Sequence, residues 1–486
     1  MVDRVMSPAG APLGGGGGLA QLPAAQTVHS LSRLVRYQQY RAFYNGDQWD
    51  DLPAPGERRL TFNYARVFIN KAASYLMGKP VGYLATATGG RPGPRKQAAA
   101  RVVEAYLAEV AAFNTLAALD LDTAIAAGTL GDGAWTVRWD PVARLPRVTA
   151  VDPLGLDARW RADDLQTLLW LRQTYWTCAA ELTPAQRGRR AAGGGGPDDP
   201  YRPLRAREEW TPQAWALYVD DVAVDGGPNP YGQIPYILFP NLRVPGEFWG
   251  EGDLADLLRL QRELNARLSI FSRILEVAGN PVAVVTGADA DSTETLKLGP
   301  NQLWTLPEGA KAEVLDLLKA GGADAHLKYI DTVYRALHDI SEMPRTSFGD
   351  SSHSRQARSG VALEIELQPL LHKLARKRAY FGTALERRAA LILAIARVHG
   401  VALPAVRLTL AWPPVLPQDR TTLVQQEVQL VAAGIHPPTL AMAALNDPDP
   451  DQQLLQVLAE ARQLQQAGLG ARPHPPAAGG GGDPAW

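Results

Sequence analysis

Few side chains in this sequence fall at the spacing that chemistry needs. Asp120 and Asp122 flank Leu121 and suggest a paired carboxylate site, but on a helix two such positions point to different sides. His353 has no second His or Cys at metal-ligand spacing. Gly128 to Gly133 is like a phosphate-cradling loop only in its glycine content. No G-x-x-x-x-G-K-[ST] pattern occurs, and Gly78-Lys79 runs directly into Pro80. A metal-dependent nuclease would need a convergent carboxylate cluster with a general base, and no spacing here assembles one. No catalytic, cofactor-binding or metal-binding residue is therefore assigned. The remaining candidates are charges. Arg355 and Arg358 stand in a small polar stretch, and Lys373, Arg376, Lys377 and Arg378 form a basic run that reads as a solvated or intersubunit face. Glu263 and Arg267 are spaced to pair across one helical turn, a contact worth about 0.2–0.5 kcal/mol. Trp135 and Trp139 would share one side of a strand, where core packing is the ordinary use.

The elements that must carry these residues follow from pattern. The chain has 486 residues, 49 Lys+Arg against 50 Asp+Glu, and a formal net charge of -1. Such balance argues against a protein that holds nucleic acid by charge alone, yet not against one that guides it. Hydrophobic content of 46 % is enough for packed cores. Cys178 is the single cysteine, so neither an intramolecular disulfide nor a thiolate zinc site can form. There is no uninterrupted apolar run of membrane-spanning length, and Met1 to Gln26 carries a glycine run where a signal peptide needs an apolar one, so neither a span nor secretion is expected.

Periodicity predicts helices over 28–44, 62–77 and 95–128, the last as one helix or two. Strand-like alternation at 134–139, 146–151, 167–176, 208–211 and 214–219 makes 130–240 a mainly β module. The glycine-rich stretch from Arg187 to Pro203 reads as a long loop between strands. Asp253 is placed as the N-cap of a long helix that stops at Gly279-Asn280-Pro281, with Leu254, Leu257, Leu258, Leu264 and Leu268 on its apolar stripe and Asp256, Arg259, Arg262, Glu263 and Arg267 on its other faces. Strands are expected at 281–286, 302–306 and 312–318, then a second helix from Ala323 to Glu342. Two helices thus bracket a small strand-containing tip. Ser347 to Gly360 reads as a solvent-facing loop, followed by a very long helix to Val398 that Pro369 should kink. Two or three helices close the ordered part before a Gly/Pro-rich tail. The fold class is α+β, mainly α.

Three groups of residues then resemble a known family. Tyr44-Asn45-Gly46-Asp47-Gln48-Trp49, Arg59-Leu60-Thr61-Phe62-Asn63-Tyr64-Ala65 and Tyr75-Leu76-Met77-Gly78-Lys79-Pro80 are similar to the N-terminal region of portal proteins of long-tailed double-stranded DNA phages. Ile234-Pro235-Tyr236, Pro240-Asn241 and Pro245-Gly246-Glu247-Phe248-Trp249-Gly250 resemble the approach to their stem. Arg262-Glu263-Leu264-Asn265 and Arg273-Ile274-Leu275-Glu276 with Gly279-Asn280-Pro281 resemble the first stem helix and its end.

The resemblance implies a ring, typically dodecameric, at one vertex of the capsid, with double-stranded DNA passing through its axial channel without regard to sequence. It implies a disordered arm at 1–27, a wing at 28–245, stem helices at 246–279 and 320–344, and a clip at 280–319. It also implies a tunnel loop at 345–359, a long kinked helix returning to the wing at 360–414, a crown at 415–466 and a flexible tail at 467–486. Phe348, Asp350, His353, Arg355 and Arg358 would then face DNA. The partners implied are further copies of the chain, the terminase large subunit, a head-tail adaptor, and the major capsid and scaffolding proteins. The implied place is the virion, with host cytoplasm during assembly. No cofactor and no membrane are implied. A scaffold or minor capsid protein is the rival reading, and it supplies no reason for two helices around a tip.

Overall fold

The computed structural model describes residues 24–55, 57–88, 93–161, 163–165, 167–194, 199–279, 282–286, 309, 311–315, 322–349, 360–416, 420–445 and 450–466. The chain divides into two units, one ending at Pro413 and the other beginning at Pro414. About 52 % of the described residues are helical, so helix predominates in a mixed fold.

The first unit opens with α1 (Ala24–Asn45) and α2 (Tyr64–Met77). Asn63 starts α2 by accepting the Arg66 N–H on its side chain. Strand β1 (Gly82–Ala87) leads to α3 (Pro94–Phe113) and α4 (Leu116–Leu130). Gly131 ends α4 at φ 110°, a left-handed value that suits glycine, and β2 (Asp132–Asp140) follows at once. Strand β3 (Leu145–Ala150) pairs antiparallel with β2, whose other side takes β9 (Tyr236–Pro240). Between them β4 (Leu156–Trp160), β5 (Leu168–Cys178), β6 (Pro203–Trp210), β7 (Ala214–Val219) and β8 (Val222–Pro228) form a five-stranded antiparallel sheet in sequence order.

Three apolar clusters hold these layers together. Ala134, Val151, Leu156, Leu171, Trp210, Ile234, Tyr236 and Leu238 pack the two sheets, with Phe248 and Trp249 against them. Leu182, Leu204, Ala206, Leu217, Val219 and Val224 form a second cluster. Tyr40, Phe43, Ala65, Ile69, Leu254 and Leu258 join α1 and α2 to the segment that opens the next helix. That helix, α6 (Leu258–Gly279), is followed by an antiparallel pair β10 (Val282–Thr286) and β11 (Lys311–Leu315), then α7 (Gly322–Ser341), which packs on α6. A single long helix, α8 (Gly360–Val398), runs through Pro369 and packs on the β3-β2-β9 sheet, with Phe381 edge-on to Phe239 at 4.7 Å. Strand β12 (Val406–Ala411) returns to pair with β1. The second unit holds α9 (Arg420–Ala432), α10 (Pro438–Ala444) and α11 (Pro450–Gln466).

Several expectations change. The stretch from Arg187 to Pro203 is not all loop: α5 (Pro184–Ala192), which starts under a capping box between Thr183 and Gln186, runs into it. The helix expected from Asp253 starts at Leu258, because Asp253 is engaged elsewhere. The strand expected at 302–306 lies outside the described residues. Glycines at 128–133 and at 250–252 let two backbones touch. A Cβ on Gly250 would lie 2.5 Å from the Gly131 carbonyl oxygen, and one on Gly252 2.6 Å from that of Thr129. Trp135 is fully buried, whereas Trp139 is half-buried and stacks on His399 at 4.4 Å. Among the described residues no single helix is long and apolar enough to cross a membrane, and no group of three or more His, Cys, Asp or Glu could hold a metal ion.

Candidate functional site

The candidate site is the α6/α7 hairpin with the roots that fasten it to the segment around Gln48 and Phe62, to α8 and to α2. One root is a buried amide network. The apolar stripe of α6 is interrupted by Gln261 and Asn265, both essentially inaccessible. Asn265 Nδ2 donates to Gln48 Oε1 at 2.7 Å, and its Oδ1 accepts the Phe62 N–H at 3.0 Å and Gln261 Nε2 at 3.2 Å. Gln48 Nε2 donates in turn to Asn63 Oδ1 at 2.9 Å and to the Phe43 carbonyl at 3.1 Å. Gln261 Nε2 also reaches the Phe62 carbonyl at 2.5 Å, and the Leu60 N–H donates to Ser269 Oγ at 2.9 Å. Extended backbone at 60–62 has no strand partner, so α6 side chains satisfy it. Outside this network Arg262 pairs with Asp50 at 2.7 Å and lies over the Phe43 ring. Two neighbouring segments, around Gln48 and Phe62, thus form one contact with Asn265, about 200 residues further along the chain.

The second root is ionic. Asp253 lies in the turn before α6, with its side chain 3 % exposed. Its Oδ2 takes a hydrogen bond from Lys377 Nζ, and its Oδ1 lies 3.2 Å from Lys373 Nζ. Lys377 also donates to Asn241 Oδ1 at 2.8 Å, and Lys373 to the Ser341 carbonyl at 3.0 Å. Burial pushes the Asp253 carboxyl up, but the two ammoniums outweigh it and hold it down at about 2. Burial, with Lys373 adding to it, lowers the Lys377 ammonium despite Asp253.

The third fastening is at the end of α7. Tyr334, His338, Phe348 and Phe68 form an aromatic cluster, with Phe348 5.3 Å from Phe68 and 5.2 Å from His338, edge-on to both. His338 Nδ1 meets the Met343 carbonyl at 2.7 Å. Arg345 donates to Asp331 at 2.7 Å and lies over the Tyr334 ring. Along the hairpin, Glu263 accepts from Arg267 at 2.6 Å and from the Tyr329 hydroxyl at 3.0 Å.

The predicted residues therefore separate. Glu263 and Arg267 pair as their spacing suggests, and Arg259 is exposed on α6. Asp253 is no helix cap but a buried counter-ion. Lys373, Arg376, Lys377 and Arg378 do not make a basic face: Lys373 and Lys377 are buried because α8 lies against the α6 root, Arg376 pairs with Glu342, and Arg378 donates to the Pro413 carbonyl at 2.9 Å beside Trp412. Phe348 is packed in the aromatic cluster rather than standing free in a loop, and Arg345–Phe348 form a short 3-10 turn. Asp350, His353, Arg355 and Arg358 lie outside the described residues. Asp120 points to neither a metal nor solvent; it pairs with Arg388, 1 % exposed, which lies over Trp135 at 4.3 Å. Sequence reasoning missed Gln48, Gln261, Asn265 and Asn241. The signal for two of them was present: Gln261 and Asn265, four apart, interrupt an apolar stripe.

No curated protein matches this chain. A family model for phage portal protein, SPP1 Gp6-like, matches residues 207–467, from β6 through the hairpin and α8 to the end of α11. That span is more than half of the sequence and contains the ionic fastening, the aromatic fastening apart from Phe68, and the α6 half of the amide network. The chain belongs to the phage portal protein family, SPP1 Gp6-like.

Proposed function

We propose that this portal protein works as a closed ring of copies, about twelve by family resemblance, that forms the axial channel at one capsid vertex. In this reading the α6/α7 hairpin is the stem and β10–β11 belongs to the clip, which meets the terminase large subunit and later a head-tail adaptor. Of the tunnel-loop stretch 345–359, the part after Gly349 faces the DNA while Arg345 and Phe348 anchor its start; α9 to α11 form the crown, and the sheets with α1 to α4 form the wing toward capsid and scaffold. The protein is a structural conduit, and a separate motor supplies the energy. It resides in the virion and assembles in host cytoplasm.

One observation carries the reading beyond family membership. The hairpin leaves Ile270 and Leu275 of α6 and Leu327 and Ile340 of α7 about half exposed, at 45–49 %. An α-helical hairpin burying only part of its apolar surface needs further cover, and neighbouring copies around a ring supply it. The charge balance suits the same role: each phosphate neutralised adds to affinity, so a conduit with a net charge of -1 does not hold its cargo. The test is a photo-crosslinking amino acid placed at 355 or 358 during DNA packaging. Crosslinks to DNA at these positions, and none from position 176 on the sheet, are expected. No DNA crosslink from 355 or 358 in packaging-active particles would overturn the assignment of that stretch.

A further inference from the structure

One turn of α8 grips three separate parts of the chain. Lys377 holds Asn241, which follows β9, and Asp253, which precedes α6; Lys373 holds Asp253 and the carbonyl of Ser341, the last residue of α7. The Asp253 N–H donates to the Gly128 carbonyl at 2.8 Å, so the anion is itself tied to α4. Two ammoniums share one carboxylate here, and all three side chains are 6 % exposed or less. The missing compensation comes from α7. The last carbonyls of a helix lack internal partners and carry partial negative charge. Lys373 thus keeps both of its partners only while the end of α7 stays in place. Withdrawing α7 would leave a buried ammonium beside a second one, with a single carboxylate between them. Arg376, one turn on and exposed, reinforces the tie through Glu342.

We infer that Lys373 and Lys377 are positioning residues that lock the root of α6 and the end of α7 onto α8, so that the hairpin and α8 move as one body, with Lys373 the member that responds to the position of α7. The consequence for the phage rests on the stem reading above: a displacement imposed on the hairpin by a docked partner is carried into α8 rather than absorbed at the root.

The test needs neither DNA nor a ring, so it fails separately from the proposed function. In a C178S background, spin labels at Thr332 on α7 and Glu386 on α8, both exposed, report the joint, and labels at Ala150 and Glu386 report the body of the fold. Wild type is expected to give one narrow distance for each pair. K373M is expected to lose the single α7–α8 distance while the control pair stays narrow. An α7–α8 distance that stays narrow in K373M, with only a lower unfolding midpoint, would overturn the inference. Should K373M also broaden the control pair, hydrogen exchange of the unaltered protein decides. The last turn of α7 and the turn of α8 at 373–377 should open together with equal protection, and independent opening would overturn the inference.

Discussion

Replacing Asn265 with leucine removes one donated and two accepted hydrogen bonds without much change in volume. Gln261 keeps its bond to the Phe62 carbonyl, but Gln48 Oε1 loses its partner in a buried site and the Phe62 N–H loses its partner in a partly exposed one. A buried group left unsatisfied costs about 1–3 kcal/mol and a partly exposed one less, so N265L should lose about 2–4 kcal/mol. Q48L should lose less, about 1–3 kcal/mol, because it strands only Asn265 Nδ2: the Phe43 carbonyl keeps the Gly46 N–H and Asn63 keeps the Arg66 N–H. The double variant should lose about 1–2 kcal/mol less than the sum, since the two side chains share one bond. N265D distinguishes shape from bonding: the carboxylate cannot donate to Gln48 Oε1, and turning the Gln48 amide would break its bond to Asn63. The assay is urea unfolding followed by tryptophan fluorescence, at fixed protein concentration. Of the twelve tryptophans only Trp486 lies in the second unit, so the signal reports the first. An N265L loss below about 0.5 kcal/mol, the size of an ordinary surface change, would refute the argument that this network fastens α6.

Asp253 should give a stability contribution present above its unfolded pKa and lost as pH falls through its folded value of about 2. The difference between wild type and D253N should therefore shrink by about 2–3 kcal/mol between about pH 5 and pH 1, read from urea midpoints. Asp132 has the opposite sign. Burial raises its carboxyl to about 6 despite hydrogen bonds from Tyr37 and from the Gly250 N–H, so its contribution is full below about pH 4 and lost as pH rises through 6. D132N, whose amide can accept from Gly250 and donate to the Tyr37 oxygen, should match or exceed wild-type stability above pH 6, by up to about 3 kcal/mol. R388M should lose about 3–5 kcal/mol by stranding the Asp120 carboxylate, and D120L in the same chain should restore part of it; equal losses in single and double variants would contradict a buried pair.

What could be read in advance was what a single element encodes. Helices at 64–77 and 360–398, strands at 132–140 and 145–150 and the helix–tip–helix order follow from local period and from stops such as Gly279-Asn280-Pro281. The motif segments around Gln48, Phe62 and Asn265 were visible as a resemblance, and their meeting in space gives them one physical task. What could not be read was burial decided by distant partners. A run of four basic residues within 373–378 looks solvated until Asp253, 120 residues earlier, is brought against it. Asp253 looks like a cap because Asp before an apolar stripe usually is one. Asp120 and Arg388 carry no mark of each other, and the polar stretch after Pro344 gave no sign that Phe348 would turn back onto Phe68 and His338. Sheet edges escaped for the same reason: β1 and β12 pair across more than 300 residues, beyond any local pattern.

The central claim is that copies of this chain close into a ring around a channel. Negative-stain electron microscopy with mass photometry on one purified sample, repeated with scaffolding protein present, tests it most directly. Closed rings with an axial hole and a mass about twelve times that of one chain are the predicted result. A chain that stays monomeric at every concentration, with and without scaffold, would contradict it.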